Sequence, residues 1–231
     1  MILKIFNNPL LIPNLGDKMY AGKFIVFEGL DGAGTTTQAK ELVSYLFDKG
    51  KHFVPILTRE PTSHTVYGLE IRRRLKRELL PHEMEIHTFD YWANLFINDR
   101  KWHLDKVVVP NLKNGIQVIS DRHMLSTLAY QSAQGGQMEQ LAGLHDGFHT
   151  PDITFFLRVP VEVALERISR NRSGSPEYFE QKERLEQVAA NYELAIALVG
   201  EKHKVVVIDG TFSKEEVSRQ VQLHIDKLYS S

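Results

Sequence analysis

Short apolar runs alternate with helical stripes along this chain. KFIVFE (23–28) is compact and apolar, the pattern of a strand buried on both faces. Behind a glycine-rich loop, Ala39, Leu42, Val43 and Leu46 fall at i, i+3, i+4 and i+7, the stripe of an amphipathic helix. HFVPILT (52–58) predicts a second strand, and its Pro55 suggests an edge or a bulge. Helical stretches follow at YGLEIRRRLKREL and from about Glu83 toward Pro110. IQVIS (116–120), DITFFLRV (152–159) and VVVID (205–209) predict further strands. Val161, Ala164, Leu165 and Ile168 make one more stripe; Leu185, Val188, Ala189, Tyr192, Ala195, Ile196 and Val199 make a longer one. Strands alternating with helices imply an α/β fold, a parallel sheet covered on both faces that binds ligands at the carboxyl ends of its strands.

Composition removes several alternatives. The 231 residues suit one large domain. A formal net charge of −1 gives no support for a nucleic-acid or membrane-surface binder. There is no cysteine, which excludes disulfides and thiolate sites and permits a reducing, cytoplasmic setting. No apolar run is long enough to span a bilayer. Asn-Asn-Pro and Ile-Pro-Asn break the opening apolar stretch, which lacks a small-residue cleavage pattern, so a secretory signal is not expected. Residues 1–22 read as an appendage, with Met19 a candidate start, ahead of a domain over 23–231. Arg72, Arg73, Arg74, Lys76 and Arg77 are diluted by Glu70 and Glu78 without interleaved aromatics, the pattern of a solvated helix face. The histidines show no metal-ligand spacing.

The candidate chemistry begins at GLDGAGTTTQ (29–38). A strand, then Gly29 and Gly34 five apart, then Thr36 opening a helix, is the Walker-type phosphate loop. Its glycines let backbone N–H groups of residues 32–36 turn toward phosphate oxygens, and the helix N-terminus adds its positive end. Such loops normally carry a lysine where this chain has Thr35. The competing reading is a hairpin turn at Asp31-Gly32, which the helical stripe from Ala39 opposes. Thr36 takes the hydroxyl position for Mg²⁺. Asp121, ending the IQVIS strand, is a candidate Mg²⁺ carboxylate, or the N-cap of the helix from Met124.

FIVFEGLDGAGTTTQ resembles the thymidylate kinase family, whose loop reads EGxDGxGKTTQ. TREP (58–61) with Gly68 and EIRRRL, LFINDRKWH (95–103), SDRHMLSTLAYQ (120–131) and PDITFFLRVPVEVALER (151–167) match that family's segments in order. Thr62-Ser63 replace its paired glycines, and His123 its tyrosine. The resemblance implies a three-layer P-loop kinase fold: a five-stranded parallel sheet, helices on both faces and a short lid at about 168–178. It also implies transfer of the ATP γ-phosphoryl to dTMP with Mg²⁺, and a homodimer. The alternatives are a non-catalytic nucleotide-binding relative, or a kinase for dUMP or another nucleoside monophosphate.

The same resemblance assigns the donor loop to Gly29, Asp31, Gly32, Ala33, Gly34, Thr35, Thr36 and Thr37, with Asp31 also near the acceptor sugar. Arg122 and Arg59 are assigned to the acceptor phosphate, and Arg72 is a third candidate. Phe96 would stack on thymine and Arg100 would bond its O4; on spacing alone they read as a core Phe and a solvated Arg. Tyr130 and Gln131 line the base pocket, or pack. Arg167 and Arg170 flank the lid, and either would replace the missing lysine. An arginine on the transferring phosphoryl is worth about 10³–10⁵ in rate, enough to offset the loss.

Overall fold

The computed structural model describes residues 22–76, 89–171 and 178–230. The appendage, apart from Gly22, and the lid's 172–177 lie outside the described residues. Five strands, β1 (Phe24–Gly29), β2 (Pro55–Arg59), β3 (Gln117–Asp121), β4 (Ile153–Arg158) and β5 (Val205–Asp209), form one sheet of order β2-β3-β1-β4-β5. Every pairing is parallel. Nine α-helices are described: α1 (Thr35–Lys49), α2 (Val66–Leu75), α3 (Phe89–His103), α4 (Val109–Lys113), α5 (Met124–Ser132), α6 (Met138–Gly143), α7 (Val161–Asn171), α8 (Tyr178–Val199) and α9 (Lys214–Ser230).

The apolar run Phe24–Phe27 of β1 follows from the strand's central place. Phe24 and Val26 join Val118, Leu104 and Val108 in one cluster. Ile25 and Phe27 point the other way, into the larger cluster with Leu42, Leu128, Val188 and Val221. β2 is an edge strand, which accommodates Pro55; the strand starts at that residue rather than at His52. The helix expected toward Pro110 contains a π-turn at Leu104–Val108. This turn precedes Pro110, whose ring would collide with the carbonyl four residues back in a regular helix.

Register places the site. Phe27 pairs with Asp121, and Asp121 with Arg59, so the carboxyl ends of β1, β3 and β2 stand side by side. The strand order reverses at β1, and the crevice opens there.

Candidate active site

A cleft of about 1350 Å³ lies over these strand ends and is walled by the 30–38 loop, Arg59, Phe96, Arg100, Asp121 and Arg122 among others. That exceeds the few hundred to about 1,000 Å³ of a single small-molecule pocket and suits two nucleotides.

The loop turns at Gly32 (φ 86°) and Gly34 (φ 98°), left-handed conformations that side chains resist. At Gly32 a Cβ would also meet the Ala164 carbonyl at 2.5 Å, so the loop lies directly against α7. The Ala33 N–H closes on the Leu30 carbonyl (2.9 Å), and the Asp31 N–H donates to the Tyr130 hydroxyl (3.1 Å). Gln38 donates the first bond of α1, to Gly34, leaving Thr35, Thr36 and Thr37 N–H groups without an intrahelical acceptor. These free amides stand at the positive end of a 15-residue helix, an anion cradle. The hairpin reading of Asp31-Gly32 is thereby replaced by strand, loop and helix.

Thr36 Oγ1 donates to Asp121 Oδ2, which also accepts from Arg59 Nε at 3.1 Å. Arg59 Nη2 reaches Thr36 Oγ1 at 3.3 Å. Arg59 therefore sits on the metal-candidate pair rather than standing free. Asp121 does not cap α5; the residue at that cap is His123, whose side chain makes no capping bond. Asp121 Oδ1 is buried and has no partner among the described residues. A buried carboxylate oxygen with spare capacity, next to a hydroxyl and the phosphate cradle, fits Mg²⁺, which takes one or two protein oxygens and completes its shell with water and phosphate.

Capping of α5 falls instead to Glu28, whose carboxylate accepts the N–H groups of His123 (2.9 Å) and Ser126 (3.2 Å). Burial raises the Glu28 pKa, and those bonds draw it back. Arg122 holds φ 80°, a conformation that costs a non-glycine residue about 1–3 kcal/mol. Its guanidinium donates to the Gly29 carbonyl (3.1 Å), the Tyr192 hydroxyl (3.2 Å) and Asp31 Oδ1 (2.8 Å). Tyr192 in turn donates to the Gly29 carbonyl at 3.0 Å. Arg122 is thus locked at the cleft edge, above the face of Tyr130.

The base end is a buried charge cluster. Arg100 is 1 % exposed, so the solvated reading does not hold. Its Nε donates to Glu60 Oε2 (2.7 Å), its Nη2 to Thr127 (2.9 Å) and its Nη1 to His145 Nε2. Glu60 Oε1 also receives His103 Nδ1 (2.8 Å) and His123 Nδ1 (3.2 Å). Burial alone would raise the Glu60 pKa, but Arg100 and the His123 contact hold it well below the usual carboxylate range. Phe96, half-buried, stacks on Trp92 with 6.1 Å between ring centroids. The buried Gln131 Oε1 has no partner among the described residues. Arg72 donates to the Thr62 carbonyl (3.1 Å) and to that of Pro61.

Thr62, which stands where the family has glycine, is turned away from the cleft. Its N–H (2.7 Å) and hydroxyl (2.6 Å) both donate to Asp99. Gly68 is tied to the same knot: a Cβ there would meet the Thr62 carbonyl at 2.4 Å and Asp99 Oδ1 at 2.6 Å.

His145 supplies a readout of this cluster. Its Nδ1 bonds the Leu141 carbonyl at 2.8 Å, so that nitrogen carries the proton and Nε2 accepts from Arg100. Burial first, then Arg100, holds its pKa well below 6.5. A depressed histidine pKa stabilises the fold above the unfolded value and loses that contribution as pH falls. The stability advantage of the wild type over His145→Gln should therefore shrink by up to about 1.4 kcal/mol per pH unit below 6.5. Urea titrations at neutral and mildly acidic pH check this, and a constant difference contradicts the neutral tautomer.

Arg167, on the cleft wall, reaches toward the carbonyls of Gly32 and Ala33 (both 3.5 Å) and donates to that of Gly210 (2.9 Å), tying α7 to the loop. The backbone of Arg170 lies in the last turn of α7, but its side chain lies outside the described residues. Sequence reasoning passed over Glu28, Asp99 and His145, and also Arg184 and Lys214 on the cleft wall.

A parallel sheet with this loop after its central strand, a carboxylate on the neighbouring strand and a second binding wall defines a P-loop nucleotide kinase. The chain belongs to the thymidylate kinase family, whose sequence model matches residues 27–221. It is 35 % identical over 217 residues to a thymidylate kinase of Nitrosomonas eutropha, covering 92 % of this chain and 96 % of that one. It is 40 % identical over 173 residues to a probable thymidylate kinase of Thermococcus kodakarensis, covering 73 % and 82 %. With a thymidylate kinase of Desulfotalea psychrophila the identity is 38 % over 168 residues, 73 % and 79 % of the two chains.

Proposed function

We propose that the protein is a dTMP kinase that transfers the ATP γ-phosphoryl to dTMP, giving dTDP and ADP for dTTP synthesis. The observation that carries this is the single cleft in which an anion cradle, the Thr36–Asp121 pair and the buried Arg100 wall converge. The free amides at the start of α1 hold the donor's phosphates. Thr36 and Asp121 are the residues that would hold Mg²⁺, which supplies charge neutralisation on the donor's phosphates when bound. Arg122, with Arg59 and Arg72 nearby, receives the acceptor phosphate, and Asp31 faces its sugar. Phe96 offers a ring to the base, Arg100 a donor to its O4, and Gln131 an unmet acceptor; Tyr130 closes the wall. An acceptor phosphate oxygen attacks the γ-phosphorus as the bond to the β-phosphate oxygen breaks, and ADP leaves.

Arg167 acts through the loop it clamps, and Arg170 is the lid's further candidate. The family's dimeric state and a cytoplasmic location belong to the same proposal; no described helix is long and apolar enough to cross a membrane. Thr35 favours a second reading, a relative that binds nucleotide without turning it over. Coupled ADP release with dTMP, dUMP, dCMP and AMP separates them. Turnover with dTMP foremost is expected. ATP binding without turnover on any acceptor would establish the second reading, and preference for dCMP would remove Arg100 from the O4 role.

A further inference from the structure

We propose that Arg184, on the cleft side of α8, supplies to the transferred phosphoryl group the cation that Thr35 leaves out of the loop. This rests on the kinase reading above. Arg184 lines the cleft, is exposed, and makes no ion pair or hydrogen bond among the described residues. The other cations on that wall are already engaged. Arg59 is on Asp121, Arg100 on Glu60, Arg122 on Asp31 and Lys214 on Glu41. Arg72 and Arg167 donate to backbone carbonyls.

An engaged arginine must give up its partner to meet a phosphate; Arg184 gives up only water. Its stem starts from a fixed place. Leu185 and Val188 seat α8 in the core, and Tyr192, eight residues on, is hydrogen-bonded to the Gly29 carbonyl at the base of the loop. Eight helical residues span about 12 Å, so Arg184 stands that far along α8 from Tyr192, on the wall of the cleft that the phosphate loop also lines. The planar guanidinium fork matches two phosphate oxygens, a geometry that a lysine in the loop would serve only as a point charge. Sequence patterning hides this residue, because on the helical stripe it reads as one more solvated position beside Leu185.

The test uses the full chain and ADP release with dTMP. Arg184→Ala should lower kcat by about 10²–10³ while the ATP dissociation constant changes little, and added guanidinium should restore part of the loss. An active parent whose variant keeps kcat within about threefold overturns this proposal alone. So does a loss confined to ATP binding, or a lowered kcat that guanidinium leaves untouched. A parent inactive on every acceptor overturns the kinase reading and this one together.

Discussion

Asp121→Asn is expected to lower kcat by about 10²–10³ and to raise the Mg²⁺ concentration needed for half-maximal rate by about 10–100-fold. The carboxylate is buried at the end of β3, yet only one of its oxygens is used. Oδ2 takes the Thr36 hydroxyl and Arg59; Oδ1 takes nothing from the described residues. An asparagine keeps the shape and one acceptor oxygen but removes the negative charge that a divalent cation needs. Arg59, whose side chain is 49 % exposed, loses little because water replaces the partner. The fold should therefore survive, and the effect should appear in turnover and in the Mg²⁺ titration. If Asp121→Asn keeps kcat and Mg²⁺ requirement within about threefold, the carboxylate serves only to steady Arg59, and the metal assignment fails.

The scaffold was legible because its signals are local. Short apolar runs placed all five strands within a few residues, and Pro55 suggested an edge or a bulge, of which the strand order shows the edge. The loop was legible from glycine spacing, since φ above zero leaves few other choices at Gly32 and Gly34. The partners of the polar residues were not. Arg100 and Phe96 could be placed on one helix face, but Arg100 meets Glu60 across 40 positions and His145 across 45. No periodicity encodes such a pairing. Glu28 gave one readable hint, an acid inside an otherwise apolar strand, which implies a buried partner without saying that it is the N-terminus of α5. Thr62 shows the converse. The sequence shows that it departs from the family's glycine but not where it points, and the structure turns both of its donors onto Asp99.

Removing Glu60 should do more damage to the fold than any other single change at the base end. Glu60→Gln strips the negative charge from a carboxylate that accepts from Arg100, His103 and His123 at once, all of them buried. The Arg100 guanidinium then remains 1 % exposed with no counter-charge on that side. Breaking a buried pair from one side costs about 3–5 kcal/mol. In a domain of this size that corresponds to a Tm lower by roughly 6–20 °C. Acid exposes the same dependence in the wild type. Glu60 is held well below 4.5, so its stabilisation is fully present above that value and is lost as pH falls through the lowered pKa. Replacing both members, Glu60→Leu with Arg100→Met, should cost less than the two single changes added together, because neither charge is left alone. That double-mutant cycle, read by urea unfolding with dTMP titrated into each folded variant, separates two roles for one arginine. A coupling near zero would mean that water already screens Arg100, and the tightly held donor proposed for thymine O4 would lose its physical basis.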